Sequence, residues 1–213
     1  MRIDIVSDVI CPWCFIGKRH LERALALLAE EGLTFEVGWR PYQLNPDMPA
    51  GGIPRDAYRE AKFGTLARSK ELDSQVTGAA KAAGLAFHLD RIKQTPNTIQ
   101  AHRLIRLADA QGLQDALVER LFVAYFQQGA DIGDADTLAI LAADVGLAAP
   151  AGDDGLTEVV AEDAAARQAG LNGVPSFLME GYFLFSGAMP AEAMASQFRK
   201  ANAVLQSRAG IAA

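Results

Sequence analysis

The sequence predicts an α/β domain interrupted by an all-helical block. Three observations carry this reading: a strand–helix–strand pattern up to Trp39, the loss of period-two alternation for about a hundred residues, and its return in two short strands from Val174. With 213 residues, half of them apolar, the chain can bury roughly seven-tenths of its extended surface, enough for a core without staples.

Residues 2–7 alternate polar and apolar and then become continuously apolar, as suits a strand buried mostly on one face. Pro12 stands where a helix can begin, since its missing N–H costs nothing in a first turn. Over residues 13–31, Leu21, Leu25 and Leu28 make an apolar stripe, and Lys18, Arg19, Glu22 and Arg23 fall largely off it, as on a solvated face. Gly32 marks the stop. Residues 33–39 alternate with period two as a second strand.

Residues 45–54 form a loop rich in Pro and Gly, and helical patterns follow over 55–83, 98–111, 114–127 and 134–145. Asn97 and Asp134 are placed to cap the second and fourth of these, and Gly84, Gly112 and Gly146 to stop them. Phe122, Tyr125 and Phe126, at helical spacing, read as core. Residues 148–155 look like a linker, and 156–169 like a helix. Residues 174–179 and 182–185 read as strands joined by Glu180-Gly181 in a tight hairpin, and residues 190–206 as a closing helix. The expected organisation is a discontinuous α/β domain, 1–45 with 153–213, and an inserted helical domain over 46–152.

Twenty basic and 26 acidic residues leave a net charge of −6, with the basic residues dispersed. That charge opposes binding to nucleic acid, which draws on clustered Lys and Arg. No stretch reaches the roughly 18 apolar residues of a membrane span. Asp4 and Asp8 interrupt the apolar N-terminal run, which therefore does not read as a signal peptide, and a reducing cytoplasm is the expected location.

The two cysteines, Cys11 and Cys14, sit where the first strand hands over to the first helix. Spacing of i, i+3 puts both sulfurs on one helical face within bonding range. Cys11 falls at the helix N-terminus, where unpaired N–H groups favour an anion. Its thiol is therefore expected below the ordinary pKa of about 8.5, as the nucleophile, with Cys14 as the resolving thiol. A structural disulfide across so short a loop would contribute only about 2 kcal/mol and would be reduced in a cytoplasm. A zinc site lacks ligands, His20 being the nearest, so no metal is expected. Two inert core cysteines are the remaining bland reading. Gly173-Val174-Pro175 adds a second signal, a proline opening a later strand.

These motifs together resemble the thioredoxin fold, and the helical insertion resembles its DsbA branch. Residues 7–14 (SDVICPWC), 39–44 (WRPYQL), 96–98 (PNT), 101–104 (AHRL) and 124–126 (AYF) are similar to the FrnE-like subfamily, which is related to 2-hydroxychromene-2-carboxylate isomerases that use glutathione. The resemblance implies a thiol–disulfide oxidoreductase acting through a redox-active disulfide, with no resident cofactor and with glutathione as a candidate co-substrate. Its partners would be thiol or disulfide substrates, protein or small-molecule. It implies Cys11 as the nucleophile, Cys14 as its buried partner, and Pro175 as a cis-proline facing the pair, with Val174 offering backbone to substrate. Pro12, Trp13, Asn97 and His102 complete the candidate substrate-binding set. The alternative is glutathione-dependent isomerase or transferase chemistry, whose members typically carry Ser at the first cysteine position. One position departs from the pattern: Ile5 stands where many thioredoxin-fold oxidoreductases bury an acid.

Overall fold

The computed structural model describes residues 1–148 and 152–211. Strand β1 (Arg2–Ser7) leads into α1 (Pro12–Glu30), which buries Leu21, Ala24 and Leu28. The end of α1 explains why the second strand starts later than the alternation suggests. Gly32 adopts φ 79° and donates to Ala29 O at 2.9 Å, while Leu33 N donates to Leu28 O at 2.9 Å. This double closure takes Leu33 as the apolar residue that seals the helix end. Strand β2 is therefore Glu36–Pro41 rather than 33–39, and Pro41 is tolerated because β2 lies at the sheet edge.

The segment that follows is helical apart from one short antiparallel ladder between β3 (Ile53–Pro54) and β4 (Gln94–Thr95). The single helix predicted over 55–83 is two, α2 (Arg55–Phe63) and α3 (Leu66–Ala82). Gly64 at φ 87° breaks it, and Thr65 Oγ accepts from Arg68 N at 3.1 Å to start α3. After β4 come α4 (Ile99–Asp109), α5 (Gln114–Val123), a π-helical turn (Ala124–Gln128), α6 (Ala135–Asp144) and α7 (Leu156–Gln168). Asp134 caps α6, accepting from Thr137 N at 2.8 Å. Asn97 stands one residue before the N-cap of α4, Thr98, which makes no side-chain bond, and it satisfies the first N–H of the helix, accepting from Ile99 N at 3.0 Å. It also ties loops together, accepting from Gln43 Nε2 and donating to Met48 O at 2.6 Å. Of the expected linker, residues 149–151 lie outside the described residues.

Strands β5 (Ser176–Met179) and β6 (Tyr182–Ser186) precede α8 (Ala191–Ile211). Glu180 and Gly181 both take positive φ, 49° and 79°, as the tight hairpin turn requires. The sheet order is β2-β1-β5-β6, with β1 parallel to β2 and the other neighbours antiparallel. Ile5 sits at the centre, opposite Trp39 on one side and Phe177 on the other. Gln114 closes the edge at Trp39, accepting from its N–H at 2.8 Å and donating to its carbonyl at 3.1 Å.

One α1 residue departs from the solvated face assigned to it. Lys18 is 3% exposed and meets Glu22, Asp115 and Glu119 at 2.6, 3.1 and 3.3 Å. Burial works against its charge, but the three acids outweigh that and hold its pKa above the ordinary value. The stripe counted only α1's own residues; Asp115 and Glu119 of α5 meet Lys18 from the other side and bury it, while Glu22 and Arg23 stay exposed. Phe15 carries the same junction, stacking on Phe122 with ring centroids 4.9 Å apart.

Candidate active site

Two pieces of chain meet at the start of α1. Cys11 is the N-cap, held by its N–H to Asp8 O at 3.0 Å, and its carbonyl accepts from Cys14 N at 3.0 Å. Pro12 occupies the first turn, where no donor is lost. Cys14 follows one turn in, and both thiols are free. The loop before β5 supplies the facing side: the Val174–Pro175 bond is cis, and the Cys11 thiol lies 3.7 Å from Val174 O. Pro175 packs against α1 at Gly17, where a Cβ would come within 3.0 Å of the proline ring. A glycine there lets loop and helix approach.

A groove of about 380 Å³ opens beside Cys11. Cys11, Pro12, Trp13 and Val174 line one side, and Tyr125 and Phe126, carried by the π-helical turn, line another. Trp13 is 42% exposed, a large apolar surface at the entrance. The far wall comes from α2, with Arg55, Arg59 and Lys62. Arg55 and Arg59 share the one carboxylate of Asp73 at 2.9 and 2.5 Å, and Lys62 donates to the Tyr58 hydroxyl. Burial and the like charge of Arg55 hold the Arg59 pKa below its ordinary value, though Asp73 opposes this. The wall thus carries more positive charge than it neutralises. A larger hollow of about 740 Å³ beside α3 contains neither thiol, so the smaller groove is the chemically relevant one.

Cys14 faces inward. Burial, then the hydrogen bond and charge of Cys11, push its pKa well above the ordinary thiol value, while Ser7 and the Asp8 backbone partly oppose this.

A family model described as the DSBA-like thioredoxin domain matches residues 2–199. The chain belongs to this family. Among solved structures, this DSBA-like chain is similar to a probable DsbA oxidoreductase, SCO1869 from Streptomyces coelicolor, at 31% identity and TM-score 0.82, covering 94% of this chain and 89% of that one. It shares its fold with a 2-hydroxychromene-2-carboxylate isomerase (13% identity, TM-score 0.65, 99% of both chains). It also shares it with the cytosolic disulfide reductase DsbM from Pseudomonas aeruginosa with GSH (18% identity, TM-score 0.61, 98% of both chains). These neighbours are consistent with the FrnE-like resemblance.

Of the site residues expected from sequence, the DSBA-like fold brings Cys11, Pro12, Trp13 and Val174 to one groove, with Cys14 and Pro175 buried behind it. Asn97 and His102 lie off it: Asn97 is spent on loop contacts, and His102 points from α4 toward Asp8, 3.4 Å away. The other two histidines are elsewhere, His20 bonding Met189 O at 2.9 Å through Nδ1. Sequence reasoning missed the cationic wall of Arg55, Arg59 and Lys62, whose i, i+4 and i, i+7 spacing was the available signal. It also missed Gly17, for which one sequence carried none.

Proposed function

We propose that the chain is a thiol–disulfide oxidoreductase in which Cys11 exchanges with substrate and Cys14 resolves the mixed disulfide. One observation carries this reading: Cys11 caps α1 at the edge of the groove, while Cys14, one turn deeper, is sealed and held protonated. Cys11 thus stands at the positive end of the α1 dipole, the end of a helix that attracts an anion.

Attack of that thiolate on a substrate R–S–S–R′ forms Cys11–S–S–R and expels R′S⁻. Cys14 then gives up its proton and attacks Cys11 Sγ, forming the Cys11–Cys14 disulfide and expelling RS⁻. Two electrons pass from the protein dithiol to the substrate, and a second thiol pair regenerates the dithiol. Run in reverse, the sequence oxidises a substrate dithiol, and the reduction potential of the couple against a glutathione buffer sets the direction. Val174 offers its carbonyl to an extended substrate, Pro175 holds that loop against α1, and Pro12 and Trp13 form the entrance.

The cationic wall suits a substrate with carboxylates, so glutathione is the proposed co-substrate. We assign residues 46–152 as the inserted domain that supplies this wall, and 1–45 with 153–213 as the thioredoxin-like domain. A reducing cytoplasm is the proposed setting. Among the described residues no helix is long and apolar enough to cross a membrane.

The trapping experiment is direct. Cys14→Ser should accumulate covalent adducts at Cys11 with oxidised glutathione or a model disulfide, seen as a mass shift reversed by reductant, and Cys11→Ser should accumulate none. Turnover retained in both variants would overturn the reading. Activity that needs glutathione and survives loss of Cys14 would instead favour isomerase chemistry.

A further inference from the structure

The mechanism above leaves the Cys14 proton without a destination. Ile5, 1% exposed at the centre of the sheet, offers none, and Asp4 is occupied with Arg2 and Arg40, each at 3.0 Å. A different group of polar residues lies buried on the inner side of Cys14. Asp8 is 0% exposed; one carboxylate oxygen accepts from Leu44 N at 2.7 Å, and the other lies 3.4 Å from His102 Nε2. His102 is 3% exposed, and its Nε2 makes no hydrogen bond of normal geometry. The Ser7 hydroxyl is equally buried and without such a bond, although it faces the Cys14 sulfur closely enough to favour its thiolate. Ser7 and His102 both line a small cavity of about 10 Å³, at the lower limit for one water molecule.

Buried polar atoms without partners are costly and uncommon. Two of them belong to residues that line one small cavity, and one of these, Ser7, also faces the thiol that must ionise, so they make a path rather than a packing accident. We propose that His102, held against Asp8, accepts the proton of Cys14 by way of the Ser7 hydroxyl and this cavity. The inference rests on the oxidoreductase reading.

The step balances. The Cys14 S–H bond breaks, its proton passes to the neutral imidazole, and the imidazolium is stabilised by the Asp8 carboxylate. The Cys14 thiolate attacks Cys11 Sγ, the Cys11–Cys14 bond forms, and the Cys11–S–R bond breaks to release RS⁻. The imidazolium later returns its proton to solvent or to the departing thiolate. His102 is thus a positioning residue that acts through Ser7 and touches no substrate. The charged and titratable groups around it and its partner Asp8 are Asp8 itself, Arg40 on β2, which lines the same cavity, and Tyr125 on the π-helical turn and Arg167 on α7, which face Asp8.

Reduced protein mixed with 5,5′-dithiobis(2-nitrobenzoate) releases chromogenic thiolate twice, first as Cys11 forms the mixed disulfide and again as Cys14 resolves it. Stopped-flow absorbance from pH 5 to 9 measures both phases, with the first as internal reference. His102→Gln is expected to slow the second phase about a hundredfold at pH 7 and to change the shape of that phase's dependence on pH. A uniformly slower second phase that keeps the wild-type pH profile would mean a structural role and would overturn the inference, as would an unchanged rate. If His102→Gln does not fold by circular dichroism, Ser7→Ala decides by the same readout: a slower second phase with an altered profile supports the path, and unchanged kinetics overturn it. Absence of the second phase in the wild type would sink the oxidoreductase reading as well, which distinguishes the two failures.

Discussion

Cys11 and Cys14 are one helical turn apart and almost equally hidden, at 4% and 1% exposure, yet they face opposite surroundings. Cys11 borders a groove with an exposed tryptophan at its entrance and an excess of guanidinium and ammonium groups across it. Cys14 faces the interior, where Ser7, Asp8 and His102 are buried polar groups. The difference teaches that fractional exposure does not separate the proposed nucleophile from the proposed resolving thiol. What separates them is the dielectric and charge each sulfur meets: a helix terminus and cations at one, burial and a neighbouring sulfur at the other.

The comparison can be broken most severely from the inner side. Asp8→Ala removes the acceptor of Leu44 N in a site with no access to water. It should destabilise the fold by about 2–3 kcal/mol, because a buried donor is left unpaired and a hydrogen bond to a charged group is lost. Urea denaturation at pH 7 measures this, and a loss under about 0.5 kcal/mol, typical of an innocuous surface change, would mean the interior around Cys14 is wetter than the geometry shows.

The raised Cys14 pKa makes a second, intermediate prediction. A group whose folded pKa is raised contributes stability that is complete below its unfolded value and is lost as pH rises through the folded one. For Cys14 the loss should begin above roughly pH 8.5, and for Tyr125, whose pKa burial also raises, above roughly pH 10. Denaturation curves between pH 8 and 11 should show falling stability in the wild type and a flatter first part in Cys14→Ala. An unaltered slope in that variant would place the titration elsewhere.

The smallest effect belongs to the outer side. Lys62→Gln removes one exposed charge, worth about 0.5–1 kcal/mol, so the KM for a carboxylate-bearing disulfide should rise roughly two- to fivefold. The kcat/KM for uncharged 2-hydroxyethyl disulfide serves as reference. An equal change for both would show that Lys62 shapes the groove without reading charge.

Most of the architecture was legible because it is local. Period-two alternation around Ile5, the Leu21–Leu25–Leu28 stripe and the Glu180-Gly181 turn each declare their structure within a few residues. The errors came where one local rule yielded to another. Gly64 with Thr65 split a helix whose apolar pattern runs on, and the closure of α1 absorbed Leu33 from the second strand. Lys18 read as solvated because its burial is imposed by α5, about a hundred residues away, which no pattern within α1 could report. The two thiols were legible as neighbours at a helix start from spacing and helix position alone. The surroundings of Cys14 were not, since Asp8 follows β1 and His102 sits in α4.

The sequence by itself determined the α/β class, the position of the helical block, the cysteine pair at a helix start and a proline opening a later strand. Each of these depends on backbone propensities and spacings that act over one or two turns. Tertiary structure alone decided that Asn97 ties loops together, that α2 turns its cations toward Cys11, and that His102 and Asp8 meet behind Cys14. Those outcomes depend on contacts between residues far apart in the chain, and such contacts exist only once packing has excluded water from between them.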